Sequence, residues 1–439
     1  MRLARRIHGK TRHVCATHVL YWYLSLSAEF PLAYGDKRVN ASALFDLVLR
    51  NGQVIDPSQH INRVTDVAVH NGEIAAVGDS LGPGLVEKDL RGKYVCPGLI
   101  DLHGHWWEGS SWGIDPNICL NHGVTTAVDA GTTGFISFPY FRKTQLSAAA
   151  VRVLAFVNIS AIGIPTNLVG ELEDIRFARP RETARVIEAN RDVCLGVKIR
   201  EGTMTGCHGV EAMDKAIEAA ECAGLPLMVH ITRGADVRRV LQNMRPGDIV
   251  THCFQGRGDG ILDPGDKRLL LEVVEARRRG VLFDVGHGAG AFSWEVARRA
   301  FELFFYPDTI STDLHRYSVA RWAFDLPSVM SKFLHLGMPL EDVILKSTWS
   351  PAKSIGRDSL GALRAGAEAD IFVFEVEEGC FPFEDTHLRT ETAFRRIKPF
   401  LTIKQGTIIA PGSQPVRLRK LYECDDELYR FIEQTAAPS

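Results

Sequence analysis

The sequence predicts an α/β protein: a (β/α)8 TIM barrel flanked by a β-sandwich domain to which both ends of the chain contribute. Three observations carry that prediction. Between residues 98 and 358, short apolar runs alternate with amphipathic stretches, the texture of repeated βα units and a parallel sheet. Residues 45–97 hold strand-like runs punctuated twice by Asn-Gly, a strong hairpin signal. After the alternation ends, β character returns over residues 359–412.

A chain of 439 residues can hold one large barrel and an addition to it. Its residues are 45% hydrophobic and 24% charged, with a net charge of −2. That balance predicts no nucleic-acid partner and no disordered acidic chain. No run of apolar residues is long enough to span a bilayer, so no membrane role is expected. Nine cysteines without a CxxC read as reduced thiols, hence a cytoplasmic protein. Arg2, Arg5, Arg6, Lys10 and Arg12 precede a short apolar patch and loosely resemble a signal peptide. The patch is broken by Tyr and Ser, so residues 1–44 are read as an extension outside the fold.

In chain order, 46–50, Asn51-Gly52 and 54–56 read as strand, tight turn, strand. The pattern repeats at 66–70, Asn71-Gly72 and 73–78. Residues 45–97 bury too little to stand alone and need a partner sheet. Eight candidate barrel strands follow at 99–102, 125–130, 151–157, 194–199, 227–231, 248–252, 281–285 and 308–312. Helical stretches lie between them at 181–191, 210–223, 235–242, 267–279, 294–303 and 322–336. Eight strands over about 260 residues match a (β/α)8 barrel. An open doubly wound sheet would show a Gly-rich phosphate loop after its first strand, and none is present. Residues 369–374, 400–403 and 406–409 read as strands that complete the sheet begun by 45–97. A polar tail is expected at 413–439.

The candidate chemistry lies at strand ends. His103 and His105 are two residues apart, so a strand directs both imidazoles to one side, where they can share a metal ion. Lys198 sits inside the apolar run Val197-Lys198-Ile199; alone it reads as a solvent-facing residue. His230 and His252 end the next two runs and alone read as satisfied core histidines. Asp313 ends the last. Together these residues populate successive strand ends, where a barrel builds its active site. A buried lysine loses its charge readily, and the neutral amine can take up CO2 to give a carbamate able to bridge two cations. His103, His105 and Asp313 would hold one ion, His230 and His252 the other, with carboxylated Lys198 spanning them.

The motifs PGLIDLHGH (97–105), GVTTAVDAGTTG (123–134), GVKIRE (196–201), MVHI (228–231), THC (251–253), FDVGHGAG (283–290), STDLH (311–315) and GALRAGAEADIFVFE (361–375) resemble the amidohydrolase superfamily, in its dihydroorotase-like branch. Their wording is most similar to a group of amidohydrolase deacetylases that act on N- or O-acetylated small acids. The resemblance implies a metal-dependent hydrolase of amide or ester bonds, two Zn2+ ions, and Asp313 as general base and acid toward a metal-bridging hydroxide. It also implies a homo-oligomer and a small acylated substrate.

For that substrate, Arg200 lies two residues beyond Lys198 and can pair with a carboxylate, or else is an exposed loop arginine. His287, between Gly286 and Gly288, is read as substrate-binding because glycines permit close backbone approach. His315, Thr132 and Thr133 are weaker candidates, and His122 and His208 read as surface or helix-edge residues. Many dihydroorotases carry an arginine two positions after the HxH pair. Here Trp106-Trp107 follow His105, which disfavours a dihydroorotase and suggests an aromatic pocket wall. A cyclic amidase of the hydantoinase kind is the alternative enzyme. A non-catalytic scaffold would have lost its ligands, and this chain keeps them all. A non-hydrolytic elimination or isomerisation at the same site remains open.

Overall fold

The computed structural model describes residues 45–166, 169–202, 209–258 and 260–414. The extension expected at 1–44, His208, and residues 415–439 of the expected tail lie outside them.

The first strands are β1 (Phe45–Asp56), β2 (Ile61–His70), β3 (Glu73–Gly78), β4 (Gly84–Asp89) and β5 (Tyr94–Pro97). Asn71 and Gly72 take φ of 52° and 77° and close the β2–β3 hairpin, with His70 opposite Glu73, as expected of an Asn-Gly turn. Asn51-Gly52 behaves differently. β1 runs straight through it, and the register against β2 slips between Leu49 and Gly52. Both halves of β1 pair with the same neighbour, Leu47–Leu49 against 67–69 and Gly52–Asp56 against 61–65. The dipeptide is therefore a bulge within one long strand. Gly52 is required there because a Cβ would lie 2.6 Å from Val95 Cγ2.

The parallel strands come next: β6 (Leu99–Gly104), β7 (Val124–Gly134), β8 (Arg152–Asn158), β9 (Cys194–Glu201), β10 (Leu227–Ile231), β11 (Ile249–Thr251) and β12 (Leu282–Asp284). They pair in sequence order as one seven-stranded sheet, a half-barrel of parallel strands. Val128, Ala130, Leu154, Phe156, Leu195, Met228 and Ile249 pack together on one face. Their neighbours Val153, Val157, Val197, Ile199 and Val229 pack with helix residues such as Ile187, Met213 and Ala216 on the other. Burial on both faces explains the near-continuous apolar runs. The helices include Pro180–Glu188, Val210–Ala223, Val237–Asn243, Leu271–Arg279, Trp294–Glu302 and Leu326–His335. Asp236, Ser293 and Asp325 cap three of them by accepting backbone N–H bonds.

The eighth expected strand, 308–312, does not form a strand. Thr309 and Leu314 make single parallel bridges to Asp284 and Gly104, at the two edges of the half-barrel. Side chains anchor the segment instead. Thr309 and Ser311 hydroxyls donate to Asp284, and Thr312 donates through N and Oγ1 to Asp101. A short run of Ser, Thr and Asp has few apolar groups to bury, and its hydroxyls compete for the bonds a ladder would use.

The chain then returns to the first sheet through β13 (Ile371–Glu384), β14 (Thr390–Lys404) and β15 (Thr407–Ile409). The order is β15-β14-β13-β5-β1-β2-β3, with β4 on β1. Ile371 to Phe374 pair antiparallel with Pro97 to Tyr94, so strands from both ends of the sequence share one hydrogen-bonded sheet. Its core includes Val54, Val67, Val95, Ile371, Val373 and Ile403. β13 and β14 are far longer than their apolar runs suggest. Their polar distal halves reach the parallel sheet's helices, where Ile397 N donates to Ser331 Oγ (2.8 Å) and Trp294 N to Asp385 Oδ2 (3.0 Å). No described helix is long and apolar enough to cross a membrane.

Candidate metal centre

Both histidines of the HxH pair point to one place, as the alternation requires. His103 Nε2 lies 3.4 Å and His105 Nε2 3.2 Å from Asp313 Oδ1. Ligand atoms of the three residues all fall within 4.8 Å of one another. Gly104 between them has a steric role. A Cβ there would sit 2.2 Å from the Trp106 ring, which folds back beneath the strand and donates from Nε1 to Val128 O. Trp106 is thus core and not pocket wall. The indole near the site is Trp112, 5.8 Å from the His105 ring and 4.5 Å from the His315 ring.

Lys198 occupies β9 on the same face as Met228, opposite the helix-facing Val197 and Ile199. It is completely buried. Its Nζ stands 3.3 Å from His103 Nε2 and 3.5 Å from Met228 Sδ. Gly131 makes room for it, since a Cβ there would meet Lys198 Cβ at 2.5 Å. His230 Nδ1 and His252 Nε2 approach to 2.7 Å, and the His252 ring is 5.0 Å from that of His103. On β11, Ile249 and Thr251 share a face, so simple alternation would send His252 away. Its φ of 71° reverses that direction. Asp313 likewise has φ of 47°. Non-glycine residues held left-handed cluster at functional sites. The six expected ligand residues therefore form one connected cluster, with His103, His105 and Asp313 as its compact group and Lys198, His252 and His230 joined to it in turn.

The donor set suits a divalent cation. Burial pushes His105 down to about 3 and His252 to about 4, and lowers His103 and His230 well below the usual histidine value. Neutral imidazoles are the ligand form. Burial also brings the Lys198 amine down to about 7, against the opposing pull of Asp313 and Asp284. Asp313 Oδ1 is buried with no hydrogen-bond partner. A carboxylate oxygen left bare beside two imidazole nitrogens is what a cation would satisfy. Gly288 completes the cradle, because a Cβ there would lie 2.3 Å from Asp313 Oδ2.

The two expected substrate groups are placed unequally. The Arg200 side chain is largely buried, its guanidinium 5.7 Å from the Trp112 ring. Nε and Nη2 form a two-pronged pair with Glu171, each bond 2.6 Å. His287 is fully buried and stacks on Phe292. Its Nε2 faces Lys332 Nζ at 2.7 Å and its Nδ1 faces Gly288 O at 3.0 Å. It supports the loop that carries Gly286 and Gly288 against His252 and Asp313. His315 is buried beside Trp112 and accepts from Tyr317 N, and Thr132 Oγ1 meets His105 Nδ1 at 2.8 Å. His122 pairs with Asp325 at 3.6 Å, away from these groups. Sequence reasoning passed over Glu171, Trp112, Thr251, Asp284 and Lys332. For Asp284 there was a signal: a carboxylate inside an apolar strand.

The chain is similar to known proteins over most of its length. The amidohydrolase family model matches residues 296–409. A deacetylase of Brucella anthropi is 34% identical over 372 residues, covering 83% of this chain and 92% of the relative. A solved adenine deaminase structure superimposes with a TM-score of 0.78 at 30% identity, over 83% of this chain and 100% of that one. A dihydroorotase structure does so with a TM-score of 0.77 at 32% identity, over 83% and 99%.

Proposed function

The chain belongs to the amidohydrolase family, and on that footing we propose that it is a metal-dependent deacetylase of N- or O-acetylated small acids. The observation that carries the reading is the bare, buried Asp313 Oδ1 between His103 and His105. We take the half-barrel with the segment bridging its edges as a (β/α)8 barrel, and zinc as the ion. His103, His105 and Asp313 would hold one ion, and His230 and His252 a second. The Lys198 amine, neutral in part near pH 7, would add to CO2 with loss of one proton, and the carbamate would supply anionic oxygens to the ligand set. Divalent ions held there would lower the pKa of a shared water and polarise the scissile carbonyl.

Asp313 takes the proton of the attacking water and delivers it to the departing amine or alcohol. Arg200, with Glu171 occupying Nε and Nη2, offers Nη1 to a substrate carboxylate. His287 keeps the glycine loop in place. The test is acetate release by zinc-loaded protein prepared with bicarbonate, across N-acetyl amino acids, O-acetyl hydroxy acids and cyclic amides. Acetate release that disappears in Lys198→Ala supports the deacetylase. Ring opening without acetate release moves the chain to the cyclic amidases, the reading that the dihydroorotase likeness favours. Two bound ions with no turnover of any member would refute the substrate class.

A further inference from the structure

His103 differs from the other candidate ligands in what holds its far nitrogen. Its Nδ1 lies 2.8 Å from Thr251 Oγ1, and that hydroxyl donates to Asp284 Oδ2 at 2.8 Å. Asp284 is completely buried. It also receives the hydroxyls of Thr309 (2.6 Å) and Ser311 (2.8 Å). Its sole ion-pair neighbour among the described residues is His103 Nδ1 itself, at 3.7 Å.

The hydrogens available to each hydroxyl set the direction of this relay. A threonine hydroxyl has one hydrogen to give. Ser311 Oγ already accepts from Gly286 N (3.0 Å), so its own hydrogen goes to Asp284. Thr251 gives its hydrogen to the same carboxylate, which leaves Oγ1 as an acceptor. His103 Nδ1 must then carry the proton, and Nε2 is left with its lone pair on the side of Lys198 and Asp313. Gly286 keeps the relay open, since a Cβ there would fall 2.3 Å from Thr251 Oγ1. Thr132, on His105, has a different link: its backbone N donates to Asp129.

We infer that Thr251 and Asp284 are positioning residues that lock His103 in its Nδ1–H tautomer and so set its affinity for the cation. The inference rests on the metal-site reading above. Losing such an outer partner typically weakens metal binding about 10–100-fold.

The experiment uses the full chain, stripped with chelator, with zinc affinity read by competition against a chromogenic chelator. Thr251→Val, which keeps shape and removes the hydroxyl, should bind at least one zinc about 10–100-fold more weakly. Thr251→Ser should restore wild-type affinity, and Asp284→Asn should weaken it as Val does. Thermal unfolding of each metal-free variant separates loss of the relay from loss of the fold. Wild-type affinity in Thr251→Val would overturn the inference, as would equal losses in Val and Ser, which would indicate packing. A wild-type protein that takes up no zinc would instead overturn the metal reading itself.

Discussion

Asp313 combines a left-handed backbone with a buried oxygen that has no hydrogen-bond partner. The first costs an L-residue about 1–2 kcal/mol, and an unsatisfied buried group about 1–3 kcal/mol. A cation bound at Asp313 Oδ1 would offset the second of these costs. Asp313→Asn should keep much of the bound metal and lower kcat about 10²–10⁴-fold; full turnover with metal bound would remove Asp313 as the proton carrier. Gly288, at φ 54° and 2.3 Å from Asp313 Oδ2 in its virtual Cβ, makes a second prediction. Gly288→Ala should displace Asp313 and reduce bound metal per chain, read by elemental analysis, while Gly290→Ala, whose Cβ meets Arg257 no closer than 3.7 Å, should not. The candidate ligand residues were legible because His and Lys are unusual within apolar runs. Thr251 and Glu171 were not, because their partners Asp284 and Arg200 lie 33 and 29 residues away.

Elements differ in how far their sequence betrays them. The helix over Val210–Ala223 coincides with its apolar spacing, whereas β13 and β14 extend well past theirs. Their outer halves are polar because they rest on the parallel sheet's helices and not on a core of their own. Lys332 ties three elements there: from helix Leu326–His335 it reaches His287 Nε2, Trp322 O (2.9 Å) and Glu384 O (2.7 Å). Burial lowers this amine to about 7. Between that value and the ordinary lysine value near 10.4, the unfolded chain binds a proton that the folded one lacks, so stability rises with pH. The melting temperature of the wild type, relative to Lys332→Met, should climb from about pH 7 to about pH 10 and be flat below pH 7. A constant offset across the whole range would show that the amine is not neutral in the fold.

At the scale of the molecule, the sheet that flanks the half-barrel is completed only when residues 371–409 return. β5 lies between β1 and β13, bonded in parallel to one and antiparallel to the other. A chain ending at residue 370 would bare the β5 edge and the faces that receive Ile397 and Asp385. It should be recovered as aggregate, or as soluble protein without cooperative melting by circular dichroism. A soluble, zinc-binding fragment would show that the parallel sheet folds without its partner.

What the sequence determined by itself was local: the alternating runs that make βα units, the residue types that bind cations, and the i, i+2 spacing that aims His103 and His105 together. Those properties depend on a residue and its immediate neighbours. Tertiary structure decided the rest. It turned Asn51-Gly52 into a bulge, folded Trp106 beneath Gly104, reversed the direction of His252, paired Arg200 with Glu171 and handed His103 Nδ1 to Thr251. Each of these outcomes is a choice among competing contacts for a backbone or polar group. That choice is made by whichever partner the distant chain brings within hydrogen-bond or van der Waals reach.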